Sequence, residues 1–179
     1  IDFIKTENIT EEGNIGSISD FIDQETNLFL RRSILQANDV LFSIAGTIGR
    51  IGLIREKNLP ANTNQALAII RCFWDFIDNK YVFFFLKSPG IQKHTLKSIV
   101  GVGRANVSLS NLADFILPLP PLPEQKRIVA KIEELFTRLD AGVEALKKVK
   151  AEIKRYRQAV LKHAFEGRLT EKWKEAHKG

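Results

Sequence analysis

An α+β domain with a mixed sheet, followed by one long α-helix that pairs antiparallel with a second copy as a coiled coil, is the fold class the sequence predicts. Three observations predict it. Short β-branched and apolar runs alternate with helical segments up to residue 117. The stretch Leu117-Pro118-Leu119-Pro120-Pro121-Leu122-Pro123 then breaks the pattern, because proline fixes φ and removes a backbone donor. Beyond it, apolar residues recur every three or four positions with no further proline. The expected parts are a domain over 1–117, a connector over 118–123, a helix over 124–166 and a tail over 167–179.

The elements follow in chain order. Ile1-Asp2-Phe3-Ile4 is an apolar, strand-like start, and the N-terminus is expected to lie upstream of Ile1. Val40 to Ala45 and Ile48 to Arg55 read as two strands joined at Gly46-Thr47 in a hairpin. Gln65 to Phe73 is a further strand candidate. Asp78 can cap a helix running through Tyr81, Phe84, Phe85 and Lys87, and Ser88-Pro89 opens a second helix to about Ile99. Gly101-Val102-Gly103 ends it, and Ser110 to Leu117 returns as a turn and short strand.

The last helix differs in kind. Its stripe is Ile128, Ile132, Leu135, Leu139, Val143, Leu146, Val149, Ile153, Tyr156, Val160 and Ala164, all on one face at a period of 3.6. Pro123 suits the first turn and Gly167 the C-terminal cap. At 1.5 Å per residue the rod is roughly 60 Å long. A rod of that length cannot bury its stripe against a domain of this size, so it calls for a mate in coiled-coil fashion; the alternative is a helix folded back on its own domain. Gly142 in mid-helix costs about 1 kcal/mol relative to Ala and fits a close helix crossing.

Net charge is +6 with a pI near 9.5, which invites a nucleic-acid reading. Residues 1–25 hold one base and seven acids, and residues 26–113 hold eleven bases and four acids. An acidic lead-in and a basic middle can fold into opposite faces, one suited to phosphates, or into a plain mixed-charge surface. Residues 1–123 balance at 12 bases and 12 acids, so the whole net excess lies in residues 124–179, where Lys147, Lys150, Lys154 and Arg157 share a face that is either solvated or set against phosphates or an acidic partner. No apolar run reaches the length of a membrane span, about 18 residues. Ile1-Asp2-Phe3-Ile4-Lys5 lacks the marks of a signal peptide, and Cys72 is the lone cysteine, so a cytoplasmic location is expected.

Catalytic signals are missing. There is no Walker A sequence and no Asn-Pro-Pro-aromatic tetrad, and His94, His163 and His177 sit at no metal-ligand spacing. Gly46 to Gly52 has the look of a dinucleotide loop but opens no helix. No metal and no cofactor are therefore expected in this chain. Four polar clusters in the basic middle are more informative: Arg31-Arg32-Ser33, Gly46-Thr47-Ile48-Gly49-Arg50, Asn62-Thr63-Asn64-Gln65 and Gly101 to Ser108. Arginine pairs with guanine edges and Asn or Gln with adenine edges in the major groove, while small neighbours let the backbone approach. The bland alternative for Asn-Thr-Asn is a turn that satisfies its own backbone. The residues expected at or near DNA are Arg31, Arg32, Thr47, Arg50, Asn62, Asn64, Lys97, Arg104 and Asn106.

The junction Leu117 to Gln125, followed by Ile128-Val129 and a long amphipathic helix ending Ala164-Phe165-Glu166-Gly167-Arg168-Leu169-Thr170, resembles a conserved region of type I restriction-modification specificity subunits. Gly46-Thr47-Ile48-Gly49-Arg50 and Thr63-Asn64-Gln65-Ala66-Leu67-Ala68 are similar to recurrent elements of that family's target-recognition domains. The chain departs from the family in extent, with one recognition domain and one such helix where a full subunit has two of each. The resemblance implies a non-catalytic subunit that reads half of a bipartite site in double-stranded DNA. It implies a helix that sets the half-site spacing by pairing with another copy. It also implies docked methyltransferase subunits using S-adenosylmethionine and ATP-driven restriction subunits, which own the chemistry. Two rival readings remain open at this point: the recognition domain of a fused restriction-methyltransferase enzyme, and a coiled-coil adaptor that binds no DNA.

Overall fold

The computed structural model describes residues 1–97 and 107–177, the side chains of residues 96 and 97 apart. Two compact units result, Ile1–Ala130 and Lys131–Gly179.

In the first unit the strands are β1 (Asp2–Ile4), β2 (Val40–Ser43), β3 (Ile51–Leu53), β4 (Ala61–Thr63) and β5 (Leu67–Ile70), and the helices are α1 (Gln24–Phe29), α2 (Asn79–Lys87), α3 (Pro89–Lys97) and α4 (Leu109–Ala113). The antiparallel strands form a three-stranded sheet in the order β3-β2-β5, and β1 pairs with β4 in parallel as a separate two-stranded sheet. The expected mixture of parallel and antiparallel pairing is thus present, divided between two sheets. The reason lies in β2, whose apolar run is covered on both faces. Side chains alternate along a strand, so Val40 and Phe42 join Ile51, Leu53, Ala68 and the α2 residues Val82, Phe83 and Leu86 in one core. Leu41 on the opposite face joins Leu67, Ile54, Leu35 and the β1–β4 residues Ile4 and Ala61 in a second core.

The hairpin expected at Gly46-Thr47 exists as the β2–β3 pair, with Phe42 opposite Ile51. Its strands are shorter than expected, which leaves residues 44–50 as a true loop. β5 is likewise shorter than the expected Gln65–Phe73. Asp78 caps α2, accepting from Lys80 N at 2.8 Å and Tyr81 N at 3.1 Å, and α3 follows directly. The strand expected within Ser110–Leu117 is instead α4. Ser108 makes the capping box that starts it, its hydroxyl accepting from Asn111 N and its own N–H donating to Asn111 Oδ1.

Helix α5 (Leu122–Phe165) is 44 residues long. Its first turns belong to the first unit, where Gln125 and Val129 are buried. In the second unit Leu135, Leu139, Val143, Leu146, Val149, Ile153 and Tyr156 are all exposed. Glu134 pairs with Lys131 and Arg138, and Glu144 with Lys147, along the charged faces. Gly167 ends the helix at φ +75°, a left-handed cap that a residue with a Cβ adopts only under strain. A short helix α6 (Glu171–Ala176) follows.

Candidate nucleic-acid interface

The end of β2 is where the polar clusters meet. Ile44 N donates to Ala66 O at 2.9 Å, and Val107 N donates to Ile44 O at 3.0 Å. Those two bonds join the 44–50 loop, the 64–66 turn and the end of the Gly101–Ser108 cluster at one residue. The loop turns back at Gly49, whose φ is +84° and where a Cβ would lie 2.8 Å from Gln92 Oε1, so only glycine fits without displacement. Thr47 is exposed on this loop.

Arg31, Arg32 and Ser33 form a 3-10 turn directly after α1, with both arginines exposed. What holds this turn is Asn62. Its Nδ2 donates to Asn27 Oδ1 at 2.8 Å and to Leu30 O at 3.3 Å, and its Oδ1 accepts from Thr63 N at 2.7 Å. A second brace is the buried carboxylate of Asp39, which receives both Nε and Nη2 of Arg71 at 2.6 Å, while Nη2 also donates to Ile34 O. Asp39 raises the pKa of Arg71 above its ordinary value through these bonds, although partial burial opposes it.

A groove of about 520 Å³ runs between the turn and the 64–66 segment. Arg32, Ser33, Thr63, Asn64 and Gln65 supply its polar lining, and Ile44 and Leu67 part of its apolar lining. Thr47 and Arg50 line a separate concavity of about 380 Å³ with Lys87 and Gln92. Burial lowers the Lys87 amine below the usual lysine value, with Glu12 partly opposing. Its Nζ donates to Glu11 O at 2.8 Å and lies 5.3 Å from the centre of the Phe83 ring.

The expected DNA-contacting residues therefore divide. Arg32 and Asn64 share one groove, Arg31 lies on the same turn as Arg32, and Thr47 is presented on its own loop. Asn62, expected at or near DNA, is 0% exposed with its amide bonded to Asn27, Leu30 and Thr63, so it braces the arginine turn and does not line the groove. Arg50 is a brace as well, since its Nη1 donates to Ile9 O at 2.9 Å and Thr6 O at 3.4 Å. Asn64 makes the turn that the bland reading anticipated, its Oδ1 accepting from Ala66 N at 3.0 Å. Arg104, Asn106 and the side chain of Lys97 lie outside the described residues. Gln65, named in the Asn62–Gln65 cluster though not among the expected contacts, is exposed at the turn, and the Asp39–Arg71 pair carries no sequence signal. A pair 32 residues apart in the chain leaves no local pattern to find. Among the described residues no group of three or more His, Cys, Asp or Glu side chains could hold a metal ion, and no helix is long and apolar enough to cross a membrane.

Comparison with known proteins places residues 1–155 in the type I restriction modification DNA specificity domain family. The specificity subunit of the type I restriction enzyme EcoBI from Escherichia coli is 33% identical over 153 residues, which is 86% of this chain and 32% of that one. The EcoKI specificity subunit from Escherichia coli strain K12 is 25% identical over 158 residues, covering 87% of this chain and 34% of that one. The chain thus spans about a third of the length of these relatives. Among solved structures, the HsdS subunit from Thermoanaerobacter tengcongensis has the same fold at a TM-score of 0.70, with 23% identity over 91% of this chain and 41% of that one. A chain from a structure of type I restriction-modification complex assembly matches at a TM-score of 0.66, with 24% identity over 92% of this chain and 38% of that one.

Proposed function

Because the chain belongs to the type I restriction modification DNA specificity domain family, we propose that residues 1–117 recognise one half of a bipartite site in double-stranded DNA and direct partner subunits to it. The chain itself is a specificity element and carries out no catalysis. The observation that carries this reading is the convergence of separate polar clusters: Arg32, Ser33, Asn64 and Gln65 line one groove, beside an exposed Arg31. Guanidinium and amide groups on short, braced turns suit hydrogen bonding to base edges, and the same arginines can position the domain on phosphates. Thr47 extends the candidate surface, and Lys97, Arg104 and Asn106 are further expected contacts.

The helix supplies the second half of the reading. Its apolar stripe from Leu135 to Tyr156 is exposed, and burying it against a second, antiparallel copy gives a rigid spacer between two recognition domains. A two-fold pair of this kind reads a palindromic bipartite site. Methyltransferase subunits then supply S-adenosylmethionine chemistry on this scaffold, and restriction subunits supply ATP-driven cleavage, all in the cytoplasm.

The test is duplex binding by the purified chain against salt and sequence. Specific affinity falls linearly with salt on logarithmic axes. Arg32→Ala weakens specific binding by about 1–3 kcal/mol and relaxes discrimination at one base pair. Unchanged specific binding in Arg32→Ala and Gln65→Ala together rules out the groove as the reading surface.

A further inference from the structure

We infer that Gln125 is a positioning residue that fixes the spacing at which the half-sites are read, an inference that rests on the bipartite reading above. Gln125 lies in the second turn of α5 and is 0% exposed. Its Nε2 donates to Phe76 O at 2.9 Å and to Pro120 O at 2.8 Å, while its Oε1 accepts from Asp78 N at 2.9 Å. Both amide hydrogens and one acceptor site are thereby committed to backbone of two segments far apart in sequence, the loop before α2 and the proline connector. Tyr81 of α2 adds a second fastening, its hydroxyl donating to Pro118 O at 2.7 Å. Apolar packing at Val129, one turn further on, resists separation but is not directional. Hydrogen bonds are directional, so the amide is what fixes the rotation of the helix about its own axis. That rotation matters because each residue turns a helix by about 100°, and a shift of one base pair turns a half-site by about 35° around the duplex.

The experiment is selection of duplexes from a random pool by the full chain, alongside thermal melting of each variant. The wild type enriches two half-sites at a single separation, and changing that separation by one base pair lowers affinity. Gln125→Leu enriches the same half-sites over several separations, with a smaller loss per base pair. Tyr81→Phe, a milder change that keeps α2 intact, broadens the distribution less. A single unchanged separation with folded Gln125→Leu overturns the inference; should that variant fail to fold, an unbroadened Tyr81→Phe distribution overturns it instead. Loss of the half-site sequences themselves in a folded variant also overturns it, because the amide would then be serving the reading groove. A wild type that enriches no motif, or one unpaired motif, sinks the bipartite reading and this inference with it.

Discussion

The two units use the same residue types to opposite ends. In Ile1–Ala130 two apolar cores are enclosed, Leu41 at 0% exposure, although Phe29, Phe73 and Ile116 among others lie open, and polar side chains such as Asn62, Asp39 and Arg50 are bonded so as to hold loops. In Lys131–Gly179 the apolar residues lie open, Leu146 at 71% exposure, and the charged residues pair along the surface. A strand can be covered on both faces by its own chain, whereas a single long helix has nothing local to cover its stripe. The core strands of the first unit are thus covered by its own chain, whereas the stripe of the second is left exposed and is what we propose a second copy covers.

That contrast can be broken at either end. The largest effect is expected in the helix. Leu139→Asp with Val143→Asp places two charges in the stripe and abolishes self-association, which light scattering reads as a halved mass. The melting of the first unit stays unchanged, and a mass that does not fall shows that the stripe is not the interface. The converse substitution, Leu41→Ala in the buried face of β2, costs about 2–5 kcal/mol in urea denaturation and leaves self-association intact. Asn62→Ala strips the arginine turn of its brace and costs about 1–3 kcal/mol; specific DNA affinity falls with it although Asn62 touches no base.

The smallest effect concerns acid. Lys5 Nζ donates to Asp20 at 2.6 Å and holds that carboxyl below its usual value of 3.8. A carboxyl depressed in the folded state contributes stability above pH 3.8, lost as pH falls further through the folded value. Asp20→Asn removes that dependence, so its stability relative to wild type improves slightly below pH 3.8, which acid titration followed by circular dichroism measures. An unaltered acid limb shows the pair to be inert.

How much of this could be read beforehand depends on range. Asp78 as a cap and α5 with its stripe are signals carried by residues within a turn or two of each other, and they are where the sequence places them. Strand β4 was missed because Ala61-Asn62-Thr63 carries little apolar pattern and its partner β1 lies about sixty residues away. Thr63→Ile4 and Asn62→Leu30 hydrogen bonds supply what the pattern lacks. Asn62 turns inward and Gln65 outward within one polar cluster, a difference that residue type alone cannot show.

Sequence by itself determined the periodicities, the proline break, the caps and the clustering of polar residues, since each arises from neighbours whose spacing the backbone enforces. Tertiary structure decided which of those polar groups are buried braces and which are presented, and that Arg32 and Ser33 share a groove with Asn64 and Gln65. Those outcomes depend on contacts between segments tens of residues apart, where burial makes an unpaired polar group costly and so dictates where each side chain turns.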